Sequence, residues 1–163
     1  MKKFLLIGIM ILSTNSIFAQ ELKQDSETEQ YISQGVIEID DLNSEEIYNN
    51  ALEWITINYN SANDVIQLKD KDLGKIILKG NFSSSMFGKK GWIHHTLQLE
   101  FKDDKFRDTY SDFSYDSPGS GEIAFEGKMF SKKKMIKNTE EDIKSSIKDL
   151  TAYIQKSKED NEW

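Results

Sequence analysis

Residues 92–115 read WIHHTLQLEFKDDKFRDTYSDFSY, and this stretch decides the fold. From Trp92 to Phe101 apolar and polar residues alternate, so one side of a strand is expected to face a core and the other to face water. Residues 102–105 form a short polar turn, and residues 106–115 form a second strand rich in aromatic side chains. Because so short a connection joins antiparallel neighbours, the stretch predicts a β-hairpin.

Further strands are predicted on both sides of this hairpin. Residues 31–39 are rich in β-branched side chains, with Gly35 expected to form a bulge. An alternation with a period of two residues, typical of strands, recurs over 65–68 and 75–82, which predicts a second hairpin. Residues 122–130 are predicted as a last strand.

Two amphipathic helices accompany the strands. Asn43 and Glu46 have the spacing of a capping box, and apolar residues then recur every three or four positions, which predicts a helix over 44–59. A second helix is predicted to begin at Asn138 or Thr139. Its apolar stripe consists of Ile143, Ile147, Leu150 and Ile154.

The order of these elements predicts the fold class. A strand, a helix, a run of antiparallel strands and a final helix form an α+β two-layer sandwich, with about five to six strands and both helices on one face. The sequence has no βαβ alternation and no internal repeat, so residues 31–158 are expected to form one domain, followed by a tail at 159–163.

The N-terminus has the features of an export signal. Two lysines precede an apolar run at 4–12, and residues 17–19 end in the small residue Ala19, as at a cleavage site. Residues 1–19 are therefore predicted to be a cleaved signal peptide. The run is shorter than the roughly 20 residues of a membrane span. The charged residues 20–30 are expected to be a flexible leader. We therefore expect a periplasmic or secreted protein that does not span the membrane.

Composition excludes several classes of function. The chain has 163 residues and no cysteine, which excludes disulfide scaffolds, cysteine-based metal sites, thiol nucleophiles and lipoprotein anchors. Acidic residues outnumber Lys and Arg by 28 to 21. Cleavage of the signal peptide would remove its two lysines and move the formal charge from −7 to −9. Such acidity disfavours nucleic acid as a partner, because that binding depends on cationic side chains.

Two segments resemble a known family. The run SEEIYNNALEWI at 44–55 and the run DDKFR at 103–107 resemble the secreted bacterial family named domain of unknown function 4468, which has a TATA-binding-protein-like (TBP-like) fold. The resemblance covers about residues 31–130. The resemblance implies this fold and a secreted protein. It implies no activity and no cofactor, because none is established for the family. The acidity of this chain argues against binding to duplex DNA.

No catalytic or metal-binding constellation stands out in the sequence. His94 and His95 are adjacent on a strand and point to opposite faces, so they cannot bind one metal ion from the same side. His95 is predicted to be a core residue with satisfied hydrogen bonds, which leaves His94 as the one imidazole for acid–base chemistry. An S-x-x-K match at 145–148 lies on a helix face, and residues 70–74 lack the closing Glu of a calcium loop. We predict neither a metal nor a cofactor.

Binding residues are predicted on a loop and on the polar side of the sheet. Residues 83–91 are expected to be a loop whose apolar residues either cover the core or form a contact patch. Five lysines between 128 and 137 are expected to be a solvated loop or a dock for an anionic envelope component. The predicted ligand or partner contacts are Met86, Phe87, Trp92, His94 and Arg107.

Three functions remain open from the sequence. The first is a non-catalytic binding module of the cell envelope that holds an envelope protein or a small ligand. The second is a lipid or ligand carrier, or a weakly supported hydrolase, with a cavity between the sheet and the C-terminal helix. The third is a structural subunit that forms an oligomer of fixed size.

Overall fold

A computed structural model describes residues 20–86, 88–119 and 121–160. Within these ranges the chain forms seven strands and three helices. The strands are β1 (Lys23–Gln24), β2 (Tyr31–Glu38), β3 (Ile66–Asp70), β4 (Lys75–Met86), β5 (Lys89–Lys102), β6 (Lys105–Ser117) and β7 (Gly121–Ala124). The helices are α1 (Ser44–Asn58), α2 (Ala62–Val65) and α3 (Lys132–Asp160).

The strands form one antiparallel sheet in the order β1-β2-β6-β5-β4-β3, and β7 pairs with the end of β6. The predicted hairpin of β5 and β6 lies at its centre, with Lys102 paired to Lys105 at the turn. The α+β sandwich is confirmed. The sheet has seven strands rather than five or six, because the residues before β2 add a short edge strand.

The core lies between the sheet and the helices. Alternate residues of β5, from Ile93 to Phe101, are at most 5% exposed. Against them pack the predicted apolar stripe of α3 and the buried side of α1. The stripe residues are all buried, namely Ile143, Ile147, Leu150 and Ile154.

A bulge in β6 changes which residues face the core. Thr96 pairs with Ser111 and His94 pairs with Ser114, so β6 has an extra residue between these two pairs. Asp112 has a left-handed φ of 54° at this point. Because of the extra residue, Tyr110 and Phe113 both point into the core although three positions separate them.

Helix α1 begins as predicted. The Asn43 side chain accepts a hydrogen bond from the Glu46 N–H at 3.0 Å, and Glu46 Oε2 accepts one from the Asn43 N–H at 2.9 Å. This reciprocal capping box satisfies two donors that the first helical turn leaves free. The helix ends at Asn58, one residue before the predicted end.

The start of the segment 20–30, which was predicted to be a flexible leader, is held against the domain, while most of its other residues are exposed. Gln20 and Leu22 are buried, and β1 pairs with β2. The Leu22 N–H also donates to Glu140 Oε1 on α3 at 2.9 Å. Gly35 forms no bulge, because it pairs with Asp108 in a regular register.

The C-terminal third also differs from the prediction. Helix α3 begins at Lys132 rather than at Asn138, so the lysine cluster lies mostly on its first turns and not in a loop. The Lys132 ammonium lies 4.9 Å from the centre of the Tyr31 ring, which anchors this end. The predicted strand 122–130 stops at Ala124, where a turn begins. The helix continues to Asp160, inside the predicted tail.

Most of the predicted loop at 83–91 instead continues β4 and β5, which pair with each other as a hairpin. Ser84 pairs with Gly91 and Met86 pairs with Lys89, so regular pairing outweighs the weak strand propensity of Ser and Gly. A Cβ on Gly91 would lie 2.4 Å from the Asp116 carbonyl oxygen, so only glycine fits there. Phe87 and the side chain of Met86 lie outside the described part of the structure.

Candidate functional site

The sheet has an outer face, on the side opposite α1 and α3. Along β5 this face carries Trp92, His94, Thr96, Gln98 and Glu100, all of them half-buried or exposed. Their neighbours on β4 and β6 extend the face on both sides. Apart from Trp92, the side chains of β5 on this face are polar, as the alternation of the sequence predicts.

Trp92 and His94 lie at one end of the outer face. Trp92 is 39% exposed, because its cross-strand neighbours are Ser83 and Asp116. His94 is half-buried and makes no side-chain hydrogen bond to any described residue. A general base needs a partner that fixes its tautomer and orientation. This end of the face therefore offers an aromatic and imidazole surface without the geometry of a catalytic pair.

Arg107 lies at the other end of the same face. Its Nη2 and Nε atoms are 2.7 and 2.9 Å from Glu100 Oε2, and Lys75 Nζ is 3.7 Å from the other carboxylate oxygen. Burial alone would raise the pKa of Glu100, but hydrogen bonds from Arg107 and Gln98 and the two nearby cations lower it. Glu100 and His94 are six positions apart on β5, which corresponds to about 20 Å along the strand. Trp92, His94 and Arg107 therefore share a face but do not form one site.

His95 is buried in the core, as predicted, but its hydrogen bonds are not satisfied. It is 3% exposed, and its ring stacks on Phe82 with 4.3 Å between centroids and lies 5.1 Å from the Tyr110 ring. Neither ring nitrogen has a well-formed hydrogen bond within the described residues. Burial lowers the pKa of His95 to about 4, so the imidazole is neutral at neutral pH.

A second buried polar cluster, absent from the sequence predictions, holds the start of the described chain. Gln20 Nε2 donates to Asp108 Oδ1 at 2.9 Å, and Ser33 Oγ donates to Gln20 Oε1 at 3.2 Å. Gly35 makes room, because a Cβ there would lie 2.6 Å from Gln20 Nε2. Burial raises the pKa of Asp108 to about 7. In the sequence, this cluster could have been found from the position of Asp108, which lies between Phe106 and Tyr110 and so shares the side of β6 that faces the core.

A cleft of about 460 Å³ lies at the edge of the sheet, between the C-terminal end of α1, the middle of α3 and β4. The less exposed lining residues, mostly aromatic side chains and Gly80, are called its floor, and the exposed ones, mostly asparagine, serine and aspartate side chains, are called its rim. Burial, followed by the charge of Glu141, raises the pKa of Asp142 on the α3 side. The lining residues that matter below are Trp54, Tyr59, Phe82, Asp142 and Asp149.

The described residues lack a metal-binding cluster and a membrane-spanning helix. They contain no group of three or more His, Cys, Asp or Glu side chains placed to hold a metal ion. None of their helices combines the length and the apolar character needed to cross a bilayer.

Comparison with protein families yields a match over residues 34–116. The matching family is described as a domain of unknown function (DUF4468) with a TBP-like fold. Among curated proteins, none matches the chain significantly.

Solved structures share the fold. A TBP-like protein from Parabacteroides distasonis has a TM-score of 0.68 and 14% identity, and the match covers 81% of this chain and 97% of that one. A DUF4468 family protein from Bacteroides ovatus has a TM-score of 0.61 and 15% identity, with 77% and 86% covered. At these identities the similarity concerns the fold alone.

Proposed function

Because this chain belongs to the DUF4468 family of domains of unknown function with a TBP-like fold, we propose a function from its surfaces rather than from its relatives. It is a non-catalytic binding module, exported to the bacterial cell envelope, that holds a partner protein on the outer face of its sheet. The observation that carries the proposal is the exposure of Trp92 beside His94 on that face.

The composition of the outer face supports a protein partner. Exposed tryptophan is enriched where proteins bind each other, because one large rigid side chain buries much area at little entropic cost. Around it lie small polar side chains, such as Ser83 and Asn81, that would leave the indole accessible to a partner. The Arg107 and Glu100 ion pair marks the polar far end of the same face.

The described residues give little support to catalysis. His94 has no orienting partner, and His95 is buried among aromatic rings. Arg107 is engaged by Glu100. A nucleophile, a base and an orienting group in mutual contact are the signature of an active site, and these residues do not form one.

A small-ligand carrier is the second candidate, and the cleft beside β4 is the observation that favours it. A lipid would need an apolar cavity, whereas the cleft rim is rich in asparagine, serine and aspartate. The space between the sheet and α3 is filled by the stripe that includes Ile147 and Leu150. Native mass spectrometry of the gently purified protein separates the candidates: an extra mass that denaturation releases indicates a carrier, and a bare chain indicates a binding module.

Export is tested by the N-terminal sequence of the protein recovered from a periplasmic or culture fraction. Cleavage after Ala19 would leave Gln20 as the first residue. A protein that stays in the cytoplasm with residues 1–19 attached would contradict the proposal. Because Gln20 packs against Asp108, a cut several residues later would also cost stability.

The partner surface is tested by quantitative cross-linking in envelope extracts. Trp92→Ala with His94→Ala should abolish a cross-link that the wild type forms, while leaving the melting temperature nearly unchanged. Ile57→Ala is the matched control, since Ile57 is a 64% exposed apolar residue on α1, away from the outer face. Equal cross-linking by all three proteins would refute the outer face as the binding surface. Met86→Asp with Phe87→Asp tests the contact predicted for these two residues in the same assay, where an unchanged cross-link would contradict that prediction.

A further inference from the structure

We propose a second binding surface, independent of the outer face: the open edge of β4 pairs with an extended segment of a partner protein and places a basic side chain of that segment in the adjoining cleft. The partner is a strand-forming segment with an exposed Lys or Arg. The surface consists of residues 79–86 of β4 together with the cleft lined by α1 and α3.

The edge of β4 has no pairing strand over most of its length, although α2 also contacts β4. β5 pairs with β4 from Lys75 to Met86 without interruption. On the other side β3 pairs only with residues 75–78. Beyond Leu78 no described strand pairs with this side of β4. Alternate N–H and C=O groups over 79–86 therefore point away from the sheet, as on any edge strand.

This edge lacks most of the devices that usually protect a sheet edge. Proteins block strand addition with proline, inward-pointing charges, bulges or very short edge strands. Residues 79–85 read KGNFSSS, with one lysine and no proline. Their register with β5 has no bulge. The segment is thus a regular template for an added strand, the mode in which many domains bind extended peptides.

The cleft gives the added strand a place for a side chain. It lies beside the open edge, because Lys79, Gly80 and Phe82 of β4 contribute to its lining. The rings of Trp54 and Tyr59 lie on its α1 side, and they pack edge to face 6.1 Å apart. An Arg or Lys side chain has the shape for such a site, with an apolar stem against aromatic rings and a charged end at the rim.

The charge of the cleft favours a cation. Asp142 and Asp149 lie seven residues apart on α3, which places both on one side of the helix facing the cleft. Among the described lining residues Lys79 is the one base, against the two carboxylates of Asp142 and Asp149. Beneath the floor, His95 Nε2 is buried without a well-formed hydrogen bond and lies against Gly80. A basic side chain would be attracted by the two carboxylates, and an acidic one would be repelled.

The same charges disfavour a second copy of this chain as the occupant. Pairing of two β4 edges around a twofold axis would bring two α3 helices, each with Asp142 and Asp149, toward one another. The whole chain carries a formal charge of −7, which adds to this repulsion. A strand from a different protein that carries a basic residue would pair with the edge without this charge repulsion.

The test uses the full exported protein labelled with ¹⁵N and the probe peptide acetyl-TVRVT-amide. Amide signals of residues 79–85 should shift and become protected from exchange as the peptide binds. Asp142→Asn with Asp149→Asn should weaken binding by about tenfold, which corresponds to about 1.4 kcal/mol. The matched control is Asp40→Asn with Asp72→Asn, which removes the same charge from exposed positions outside the cleft and should leave the affinity unchanged.

Two altered peptides separate strand pairing from simple charge attraction. Replacing Arg with Glu should abolish binding if the cleft selects a cation. N-methylation of alternate peptide nitrogens should also abolish it, because an added strand needs those donors. Binding that survives N-methylation would overturn the strand-addition proposal, as would the absence of β4 shifts at about 1 mM peptide. A dimer that protects the same amides without peptide would identify a second copy as the occupant and overturn it too.

Discussion

The buried carboxyl group of Asp108 makes the stability of this protein depend on pH in a defined direction. Asp108 is fully buried, and one of its oxygens, Oδ2, has no partner within the described residues. Burial raises its pKa from the ordinary value of 3.8 to about 7. The folded protein therefore holds this proton more tightly than the unfolded chain does.

The sign and size follow from linkage. A raised folded-state pKa means that the contribution of Asp108 is fully present below about pH 4 and is lost as the pH rises through about 7. The interval between the two pKa values corresponds to about 4 kcal/mol in total. Of this, about 3 kcal/mol is lost between about pH 5 and about pH 8.

Asp108→Asn isolates this effect. The amide oxygen keeps the acceptor for Gln20 Nε2 and has no proton to lose in this range. Relative to the wild type, the variant should gain about 3 kcal/mol in unfolding free energy between about pH 5 and about pH 8. His95 titrates in the opposite sense, but it is present in both proteins and cancels in the difference.

The assay is urea denaturation at several pH values, followed by tryptophan fluorescence. The quantity of interest is the difference in unfolding free energy between variant and wild type at each pH. A difference that stays constant from about pH 5 to about pH 8 would refute the reasoning, because it would mean that Asp108 ionises equally well in both states.

Three further predictions concern single residues. In denaturation series, His95→Leu should gain about 2 kcal/mol of unfolding free energy relative to the wild type as the pH falls from about 7 to about 4.5. The reason is that burial lowers the pKa of His95 from 6.5 to about 4, so protonation of the unfolded chain destabilises the folded wild type over this range. A difference in unfolding free energy that does not change with pH would contradict this. Gly91→Ala should lower the melting temperature more than Gly80→Ala, because the added Cβ meets a backbone oxygen at 2.4 Å in the first case and a ring nitrogen at 2.7 Å in the second. Asn43→Ala should cost about 1 kcal/mol in thermal or chemical unfolding by removing the α1 cap, and a neutral result would show that the cap is dispensable.

The features that depend on local pattern were predictable from the sequence. The alternation over 92–101 predicted both the central strand and the face on which Trp92 and His94 lie. The spacing of Asn43 and Glu46 predicted the start of α1, because a capping box involves only neighbouring residues. The start of α3 was missed because its first turns are rich in lysine. Met135 is buried there and extends the stripe of Ile143 backwards by two turns.

The features that depend on distant contacts were not predictable. Nothing local distinguishes Gln20 from its polar neighbours, and its burial requires Ser33, Gly35 and Asp108 to be assembled around it. The separation of Arg107 from His94 depends on the strand register, which places Arg107 opposite Glu100. The open edge of β4 likewise follows from where β3 begins, because Ile66 pairs with Leu78 and no β3 residue lies beyond it.

The shared fold and the surface chemistry lead to different conclusions about function. A sheet face that binds duplex nucleic acid must neutralise several phosphates with Lys and Arg side chains. Here Arg107, at one end of the outer face, is bound to Glu100, and the same carboxylate attracts Lys75. The chain as a whole is acidic. A TBP-like backbone thus supplies a wide face and an open edge at β4, and the side chains on them favour partners that offer apolar or basic groups over those that offer phosphates.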